Sequence, residues 1–159
     1  MADTQTLAGR IQPLLGAGDV ILLGGDLGAG KTAFVQGLAR AMGITGPVTS
    51  PTFTLVHSYD GPGPAGFRLV HADLYRLDHL QEVLDLGLPE LLDEGAVAVI
   101  EWGEAAAPLF PRDYLEIRID FGAGDNDRLL RLTPVGSRWA APARVAALRD
   151  AVASLGGPS

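Results

Sequence analysis

The sequence predicts an α/β fold, a three-layer sandwich with a mainly parallel central sheet and an antiparallel hairpin at one edge. Two continuous apolar runs, at residues 20–23 and 96–100, are typical of strands buried on both faces of a parallel sheet. Segments with helical spacing separate such strands along the chain. Two partly alternating segments, 114–121 and 128–132, flank a turn rich in Gly, Asp and Asn, which predicts the hairpin.

The composition is typical of one compact globular domain. The chain has 159 residues, of which 47% are hydrophobic and 19% charged, and its mean hydropathy is +0.21. This length supports a single core, so we expect one domain over residues 1–155 and a flexible tail at 156–159. The chain has no cysteine, which excludes disulfides and thiolate metal sites.

The net charge and the N-terminus limit the expected partners and location. A net charge of −7 and a pI of about 4.8 disfavour nucleic acid and anionic membranes. We therefore expect no membrane and no DNA partner, and contact with RNA only through a partner protein. The N-terminus lacks a basic region followed by an apolar one, so the expected location is the cytoplasm.

The most informative stretch runs from Gly25 to Thr32 and reads Gly-Asp-Leu-Gly-Ala-Gly-Lys-Thr. It matches the pattern G-x-x-x-x-G-K-[ST], in which glycines let backbone N–H groups approach phosphate oxygens. A strand before it and a helix after it complete a P-loop NTPase-like unit. We expect Lys31, the only lysine in the chain, to contact the β- and γ-phosphates, and the Thr32 hydroxyl to ligate Mg²⁺.

The first helix is predicted from apolar residues with helical spacing, namely Leu7, Ile11, Leu14 and Leu15. We expect Thr4 or Thr6 to cap it and Pro13 to kink it. Gly16 or Gly18 should end it.

The remaining elements are predicted from the same signals. Up to the middle of the chain they are a helix after the glycine-rich loop that Gly43 ends, a strand at 53–59, a connector at 60–66 and a strand at 67–73. Beyond it they are a short helix with a capping box from Asp78, a helix at 90–94 between Pro89 and Gly95, a strand at 96–101, the hairpin and a last helix at 143–155.

Two of the predicted strands end on a carboxylate, Asp73 and Glu101. The carboxyl ends of parallel strands meet at one edge of an open α/β sheet, so we expect both side chains near the glycine-rich loop. There a carboxylate can hold Mg²⁺ or its water. The residues themselves leave open which of the two positions the attacking water, and whether either one only caps the next loop.

Some polar residues have both a structural and a functional interpretation. Ser50, Pro51 and Thr52 form either a tight connection or a switch loop whose hydroxyls sense the γ-phosphate. His71 is interpreted as a hydrogen-bonded core or near-site residue rather than as a metal ligand. Asp26 and Glu104 are candidates to flank the phosphate site, although exposed loop acids are common.

Four motifs carry a more specific signal: residues 26–32 (DLGAGKT), 50–56 (SPTFTLV), 71–77 (HADLYRL) and Glu101-Trp102. In this order they resemble the TsaE (YjeE) family of bacterial ATPases of tRNA threonylcarbamoyladenosine biosynthesis. The likeness spans residues 24–102 and is looser beyond them. Four spaced motifs are far more specific than a glycine-rich loop alone.

The resemblance implies an ATPase that binds ATP and Mg²⁺ and works with TsaB and TsaD. Together these proteins place a threonylcarbamoyl group on N6 of adenosine 37 in tRNAs that read ANN codons, so tRNA is met through the complex. In the family the transferase chemistry belongs to TsaD, and TsaE uses ATP to support turnover.

Carried over by position, the resemblance also implies roles for individual residues. Thr32 and Glu101 would bind Mg²⁺, Asp73 would be needed for hydrolysis together with Lys31, and Trp102 would lie beside the nucleotide. The residues implied to hold the phosphates are Asp26, Leu27, Gly28, Ala29, Gly30, Lys31 and Thr32. Two departures from the family pattern are Ala33 in place of a second threonine and a short N-terminal segment, which affects base contacts at residues 3–6.

Two other functions compete with this interpretation. A small-molecule kinase of the P-loop class would need a basic lid, and the candidate arginines are Arg112, Arg118, Arg128, Arg131 and Arg138. The hairpin pattern around them favours strands instead. A GTP-dependent switch would need an Asn-Lys-x-Asp motif, which a chain with one lysine in its glycine-rich loop cannot contain.

Overall fold

The computed structural model describes residues 2–52, 54–63, 66–74, 77, 79–101, 113–153 and 155. Its helices are α1 (Ala2–Ile11), α2 (Lys31–Ala41), α3 (Leu80–Asp85), α4 (Leu88–Asp93) and α5 (Pro142–Ala153), with a 3₁₀ helix at Gln12–Leu14. Its strands are β1 (Val20–Gly24), β2 (Val56–Tyr59), β3 (Leu69–Asp73), β4 (Val97–Glu101), β5 (Tyr114–Phe121) and β6 (Arg128–Val135).

The six strands form one sheet in the order β2-β3-β4-β1-β5-β6. The four central strands are parallel, while β2 and β6 pair with their neighbours in the antiparallel direction. The predicted mainly parallel sheet and the β5–β6 hairpin are confirmed. The structure adds a second antiparallel strand, β2, at the other edge.

Side chains of the central strands alternate between two apolar cores, which gives the predicted three layers. Ile21 and Leu23 lie in a core with buried residues of α1, α2 and α5. Val20 and Leu22 lie in a second core with buried residues of α3 and α4. Each fully buried Leu or Ile side chain contributes about 1.5–3 kcal/mol, so burial on both faces accounts for the continuous apolar runs.

The predicted bounds of the first helix were wrong at both ends. The helix begins at Ala2, so Thr4 and Thr6 lie inside it and do not cap it. Its first turns are held by packing on α2, where a Cβ at Gly37 would lie 2.7 Å from the Cα of Gln5. Such packing decides helix ends more than capping propensity does. The α-helix ends at Ile11 and continues as a 3₁₀ turn through Pro13, well before Gly16 and Gly18.

The other differences concern caps and bounds. The N-cap of α3 is His79, whose backbone N–H donates to the Glu82 carboxylate at 3.3 Å, so the predicted capping box is shifted by one residue. Asp78 itself lies outside the described residues. α4 starts two residues before the predicted 90–94, β2 three residues after 53, and β6 extends three residues past 132. These are differences of two or three residues at the ends of elements.

Glycines with positive φ end two of the helices where predicted. Gly43 has φ +76° directly after the C-cap of α2, and Gly95 has φ +94° after α4. Within the part of the chain that the structure describes, no helix is long and apolar enough to cross a membrane. The single domain over residues 1–155 stays a prediction, and residues 156–159 lie outside the described ranges.

Candidate functional site at the carboxyl edge of the sheet

The loop between β1 and α2 has three glycines in conformations that L side chains rarely adopt. Gly25, Gly28 and Gly30 have φ of +140°, +79° and +117°. A Cβ at Gly25 would overlap the carbonyl oxygen of Ile119 on β5, whereas no atom of the described residues lies within 4 Å of a Cβ at Gly28. Glycine is thus required at position 25 both by the contact with Ile119 and by the positive φ. At position 28 it is required by the positive φ alone. Gly30 is the N-cap of α2, so that helix begins directly at Lys31.

Lys31 is buried in this loop, with 6% of its surface exposed. Its Nζ donates to the backbone carbonyl oxygens of Gly25 at 2.7 Å and Asp26 at 3.0 Å. Burying an ammonium requires such acceptors, because burial removes its hydration. The ammonium and the N-terminus of α2 make this end of the sheet positive, which suits an anion. Thr32 follows in the first turn of α2.

The inner and outer parts of the loop differ in exposure. Leu27 is 93% exposed, whereas Ala29 is fully buried. The Ala29 N–H donates to the Asp26 carbonyl oxygen at 3.1 Å and closes a turn around Leu27 and Gly28. The loop therefore presents its apex to solvent while its second half rests against the protein.

Arg128 of β6 holds the loop from the side of the hairpin. Its Nε donates to the Ala29 carbonyl oxygen at 2.9 Å, and its Nη1 donates to the carbonyl oxygens of Asp125 at 3.0 Å and Asp127 at 2.8 Å. The guanidinium carbon also lies 4.6 Å from the centre of the Phe121 ring. The sequence identified Arg128 only as a lid arginine, because a contact between residues 99 positions apart has no local signal.

Asp73 and Glu101 are the last residues of β3 and β4 and lie opposite each other in the parallel register. They are 7% and 4% exposed. Glu101 is also in register with Leu23 of β1, two residues before Gly25 at the start of the glycine-rich loop. Because side chains alternate along a strand, Glu101 shares a face with Val99, in the core that α2 covers. The structure brings the two carboxylates together at the loop, as the sequence predicts, while their roles stay predictions.

His71 is fully buried and lies two residues before Asp73 on β3. Its Nε2 lies 2.7 Å from Oε1 of Glu101. An ionised carboxylate only accepts hydrogen bonds, so Nε2 is the donor. Nδ1 has no hydrogen-bond partner among the described residues. His71 is thus hydrogen-bonded beside the site, as predicted, and its partner is one that the sequence did not identify.

The Ser-Pro-Thr loop reaches the same edge of the sheet. The Leu55 carbonyl oxygen accepts from the Asp73 N–H at 2.9 Å, and the Leu55 N–H donates to the Pro51 carbonyl oxygen at 2.7 Å. Leu55 has φ +67°, which is rare for a residue other than glycine. The hydroxyl oxygens of Ser50 and Thr52 are 2.8 Å apart. These bonds account for a tight connection tied to the end of β3, and the switch role stays a hypothesis.

The arginines proposed for a kinase lid lie mostly in regular structure. Arg118, Arg128 and Arg131 are strand residues of β5 and β6. The Arg138 backbone N–H donates to the Asp113 carboxylate at 3.2 Å. Arg112 lies outside the described residues. Three of the four candidate arginines that the structure describes are therefore strand residues, as the hairpin pattern predicts.

Two predicted site residues, Trp102 and Glu104, lie outside the described ranges, so their roles stay predictions. The structure adds Thr4 of α1, which packs beside Gly30 and is 1% exposed. Its hydroxyl has no hydrogen-bond partner within the described part of the chain.

The donors at this edge suit the phosphates of a nucleotide and a magnesium ion. Mg²⁺ prefers oxygen ligands, which the Thr32 hydroxyl and the carboxylates of Asp73 and Glu101 provide. The described residues contain no group of three or more His, Cys, Asp or Glu that could hold a metal ion by itself. Mg²⁺ is commonly bound through one or two carboxylates plus substrate phosphates, so this donor set fits the ion together with a nucleotide.

Comparison with known proteins gives a consistent result. A family model described as "Threonylcarbamoyl adenosine biosynthesis protein TsaE" matches residues 1–129. A protein of Streptomyces coelicolor named tRNA threonylcarbamoyladenosine biosynthesis protein TsaE is 44% identical over 140 residues, which cover 84% of this chain and 92% of the relative. The protein of the same name from Bacillus subtilis is 41% identical over 138 residues, covering 86% and 83%.

The likeness extends to a solved structure. The crystal structure of Bacillus subtilis YdiB matches with a TM-score of 0.74 and 32% identity, over 96% of this chain and 89% of that chain. The match therefore includes the regions beyond residue 102, where the motif resemblance is looser.

Proposed function

This chain belongs to the TsaE family, and from that premise we propose that it is a Mg-ATP-binding P-loop ATPase required for N6-threonylcarbamoyladenosine modification at position 37 of tRNA, acting with TsaB and TsaD. The observation that carries the proposal is the loop of positive-φ glycines around buried Lys31, next to Asp73 and Glu101, which lie opposite each other at the ends of β3 and β4. The names of the relatives support the pathway, whereas ATP and the partner proteins follow from the loop chemistry and the family resemblance.

The proposed reaction is hydrolysis of ATP to ADP and phosphate. The oxygen of water bonds to the γ-phosphorus as the bond from that phosphorus to the bridging oxygen breaks. The bridging oxygen leaves on ADP with the electron pair of that bond. One proton of the water stays on the phosphate and the other passes to solvent. Bound Mg²⁺ would neutralise charge on the β- and γ-phosphate oxygens. Lys31 and the N–H groups at the start of α2 add positive potential at the same oxygens. Asp73 would accept a hydrogen bond from the attacking water and orient it, while Thr32 and Glu101 would hold the ion.

The charge of the chain supports a role within a complex. A chain with a net charge of −7 is repelled by the tRNA backbone, so the proposed partners hold the tRNA. P-loop ATPases of this size commonly need a partner to complete the catalytic arrangement. We therefore expect slow turnover by the isolated chain and faster turnover in the complex.

The partner requirement is tested by measuring phosphate release with and without cognate TsaB and TsaD. Stimulation by the pair supports the proposal. Turnover that is unchanged on mixing would exclude a partner-driven ATPase. Tighter binding of GTP than of ATP in a competition experiment would contradict the choice of nucleotide.

The site assignment is tested with variants of the two carboxylates. Glu101→Ala should weaken the part of nucleotide affinity that depends on Mg²⁺, because it removes an oxygen ligand. Asp73→Asn should spare affinity and lower turnover by about 100-fold, because the amide orients water less effectively. Binding by titration with fluorescent ADP and single-turnover hydrolysis separate the two effects. If both variants kept full affinity and turnover, the site assignment would be wrong.

A further inference from the structure

We propose that His71 is a positioning residue that holds the Glu101 carboxylate in the orientation needed to bind the metal ion of the nucleotide complex. This inference rests on the proposed function, since it assigns a role toward the same ion. No property of the sequence suggested this partner, because His71 and Glu101 are 30 positions apart.

His71 and Glu101 form a pair that is shielded from solvent. His71 is fully buried and Glu101 is 4% exposed. In the sheet, His71 is in register with Val99 of β4 on one side and His57 of β2 on the other. Leu69, two residues earlier on the same strand face, is fully buried in the apolar core. The Glu101 carboxylate is therefore the acidic partner that the structure gives to His71.

A histidine at position 71 lowers the folding stability of the chain. Its Nδ1 is buried without a hydrogen-bond partner among the described residues, which lowers folding stability. An apolar side chain at position 71 would continue the core of Leu69 and Val99 without that cost. Core packing alone therefore does not explain a histidine here, whereas the hydrogen bond from His71 to Glu101 does.

The hydrogen bond from His71 limits the orientations of the Glu101 carboxylate. The terminal torsion of a glutamate side chain is broad, so an unsupported carboxylate samples many orientations. A hydrogen bond from Nε2 to Oε1 restricts that torsion and leaves the lone pairs of Oε2 for a cation. Hydrogen bonds to a metal-binding side chain commonly raise metal affinity in this way.

Two amide variants form the test, because they differ mainly in reach. Gln places its amide N–H about as far from the backbone as histidine Nε2, whereas Asn reaches only as far as Nδ1. The readout is the ratio of the dissociation constants of fluorescent ADP without and with Mg²⁺. We expect His71→Asn to reduce this ratio by about 10-fold, and His71→Gln to keep it within about 3-fold of the unaltered chain. Affinity for ADP without Mg²⁺ should be unchanged in both.

A structural role alone would lower the thermal stability of both variants and leave the ratio unchanged. The inference is overturned if His71→Asn keeps the full Mg²⁺ ratio, or if His71→Gln loses as much of it as His71→Asn. Combining His71→Asn with Glu101→Ala should give the ratio of Glu101→Ala alone, because the histidine acts through that carboxylate. An additional loss in the double variant would also contradict the inference.

The same measurements separate the two levels of the proposal. If the unaltered chain binds ADP with no Mg²⁺ dependence, or Glu101→Ala keeps that dependence, the proposed metal site itself is wrong. If Glu101→Ala loses it while His71→Asn keeps it, only the role of His71 is wrong.

A measurement on the unaltered chain covers the case in which His71→Asn does not fold. With ¹⁵N-labelled histidine, adding Mg²⁺ to the ADP complex should shift the His71 Nε2 resonance, whereas His79 on the surface should not shift. An unchanged His71 resonance would overturn the inference.

Discussion

The carboxyl edge of the sheet, where the parallel strands end, and the opposite edge, where they begin, both bury carboxylates. The partners of these carboxylates differ between the two edges. At the edge where the strands begin, Asp19 is 2% exposed and lies 3.2 Å from Arg138 and 2.6 Å from Arg144. The Gly16 N–H also donates to it at 2.7 Å. The Arg144 guanidinium stacks 4.1 Å above the ring of Trp139. This carboxylate is thus surrounded by cationic and N–H donors of its own chain.

At the edge where the strands end, Asp73 and Glu101 lie side by side, and two ionised carboxylates at such positions repel each other. Within the described residues, the Glu101 carboxylate is hydrogen-bonded by His71 and paired with no arginine. The neighbouring loop carries positive-φ glycines and Lys31. The difference teaches that a buried carboxylate neutralised by arginines of its own chain stabilises the fold, whereas Glu101, held by a histidine next to the loop of Lys31, is suited to a ligand.

The largest effect on stability is expected for Asp19, at the edge where the strands begin. Asp19→Ala should lower the free energy of unfolding by about 3–5 kcal/mol, because it leaves Arg144, which is 19% exposed, without its carboxylate. Urea denaturation measures this loss, with Asp19→Asn as a variant of matched shape. The folded Asp19→Ala protein should still bind ADP with unchanged affinity. A loss below about 1 kcal/mol, the level of an exposed ion pair, would remove the distinction between the edges.

The next effect is expected in the glycine loop. Gly25→Ala should destabilise the chain by about 2–3 kcal/mol and weaken ADP binding, because the methyl group meets the Ile119 carbonyl oxygen in a strained backbone. Gly28→Ala is the matched control, since Gly28 has a positive φ but no neighbour among the described residues within 4 Å of an added Cβ. It should cost about 1–2 kcal/mol. Thermal unfolding and ADP titration of both variants check the order, and equal effects would contradict the role of the Ile119 contact.

A smaller effect is expected where β6 supports the loop. Arg128→Ala should cost about 1–2 kcal/mol, because it removes the bond to the Ala29 carbonyl oxygen and the stacking on Phe121. Arg131→Ala, an exposed arginine on the same strand, should stay within about 0.5 kcal/mol of the unaltered chain. Chemical denaturation of the two variants makes the comparison. Similar losses for both would show that Arg128 does not support the loop.

The smallest effect is expected for an exposed ion pair just before β3. Arg68 and Asp60 are 2.9 Å apart, but their side chains are 44% and 80% exposed. Arg68→Ala should therefore change the free energy of unfolding by less than about 0.5 kcal/mol. Arg68 and Asp19 each directly precede a parallel strand, so the two variants differ in burial and not in this position. Comparing their losses of stability therefore tests whether burial is the cause. A loss as large as that of Asp19→Ala would show that burial is not the reason.

Local patterns predicted the elements better than their ends. The strand at Val97–Glu101 and the end of α2 at Gly43 follow from an apolar run and a glycine with positive φ. The start of α1 could not be predicted, because packing on α2 holds Thr4 inside the helix. Spacing alone predicts a capping box from Asp78, whereas the capping box in the structure is formed by His79 and Glu82.

What the sequence by itself determined is the glycine-rich loop and its place between a buried strand and a helix, because residues 25–32 are contiguous and their glycines indicate a backbone with positive φ. It also determined that two strands end on carboxylates. Only the tertiary structure decided that Asp73 and Glu101 are neighbours, that His71 bonds to Glu101 and that Arg128 holds the loop. The physical reason is that periodicity tells which face of a strand is buried, whereas the order of the strands depends on packing between distant parts of the chain.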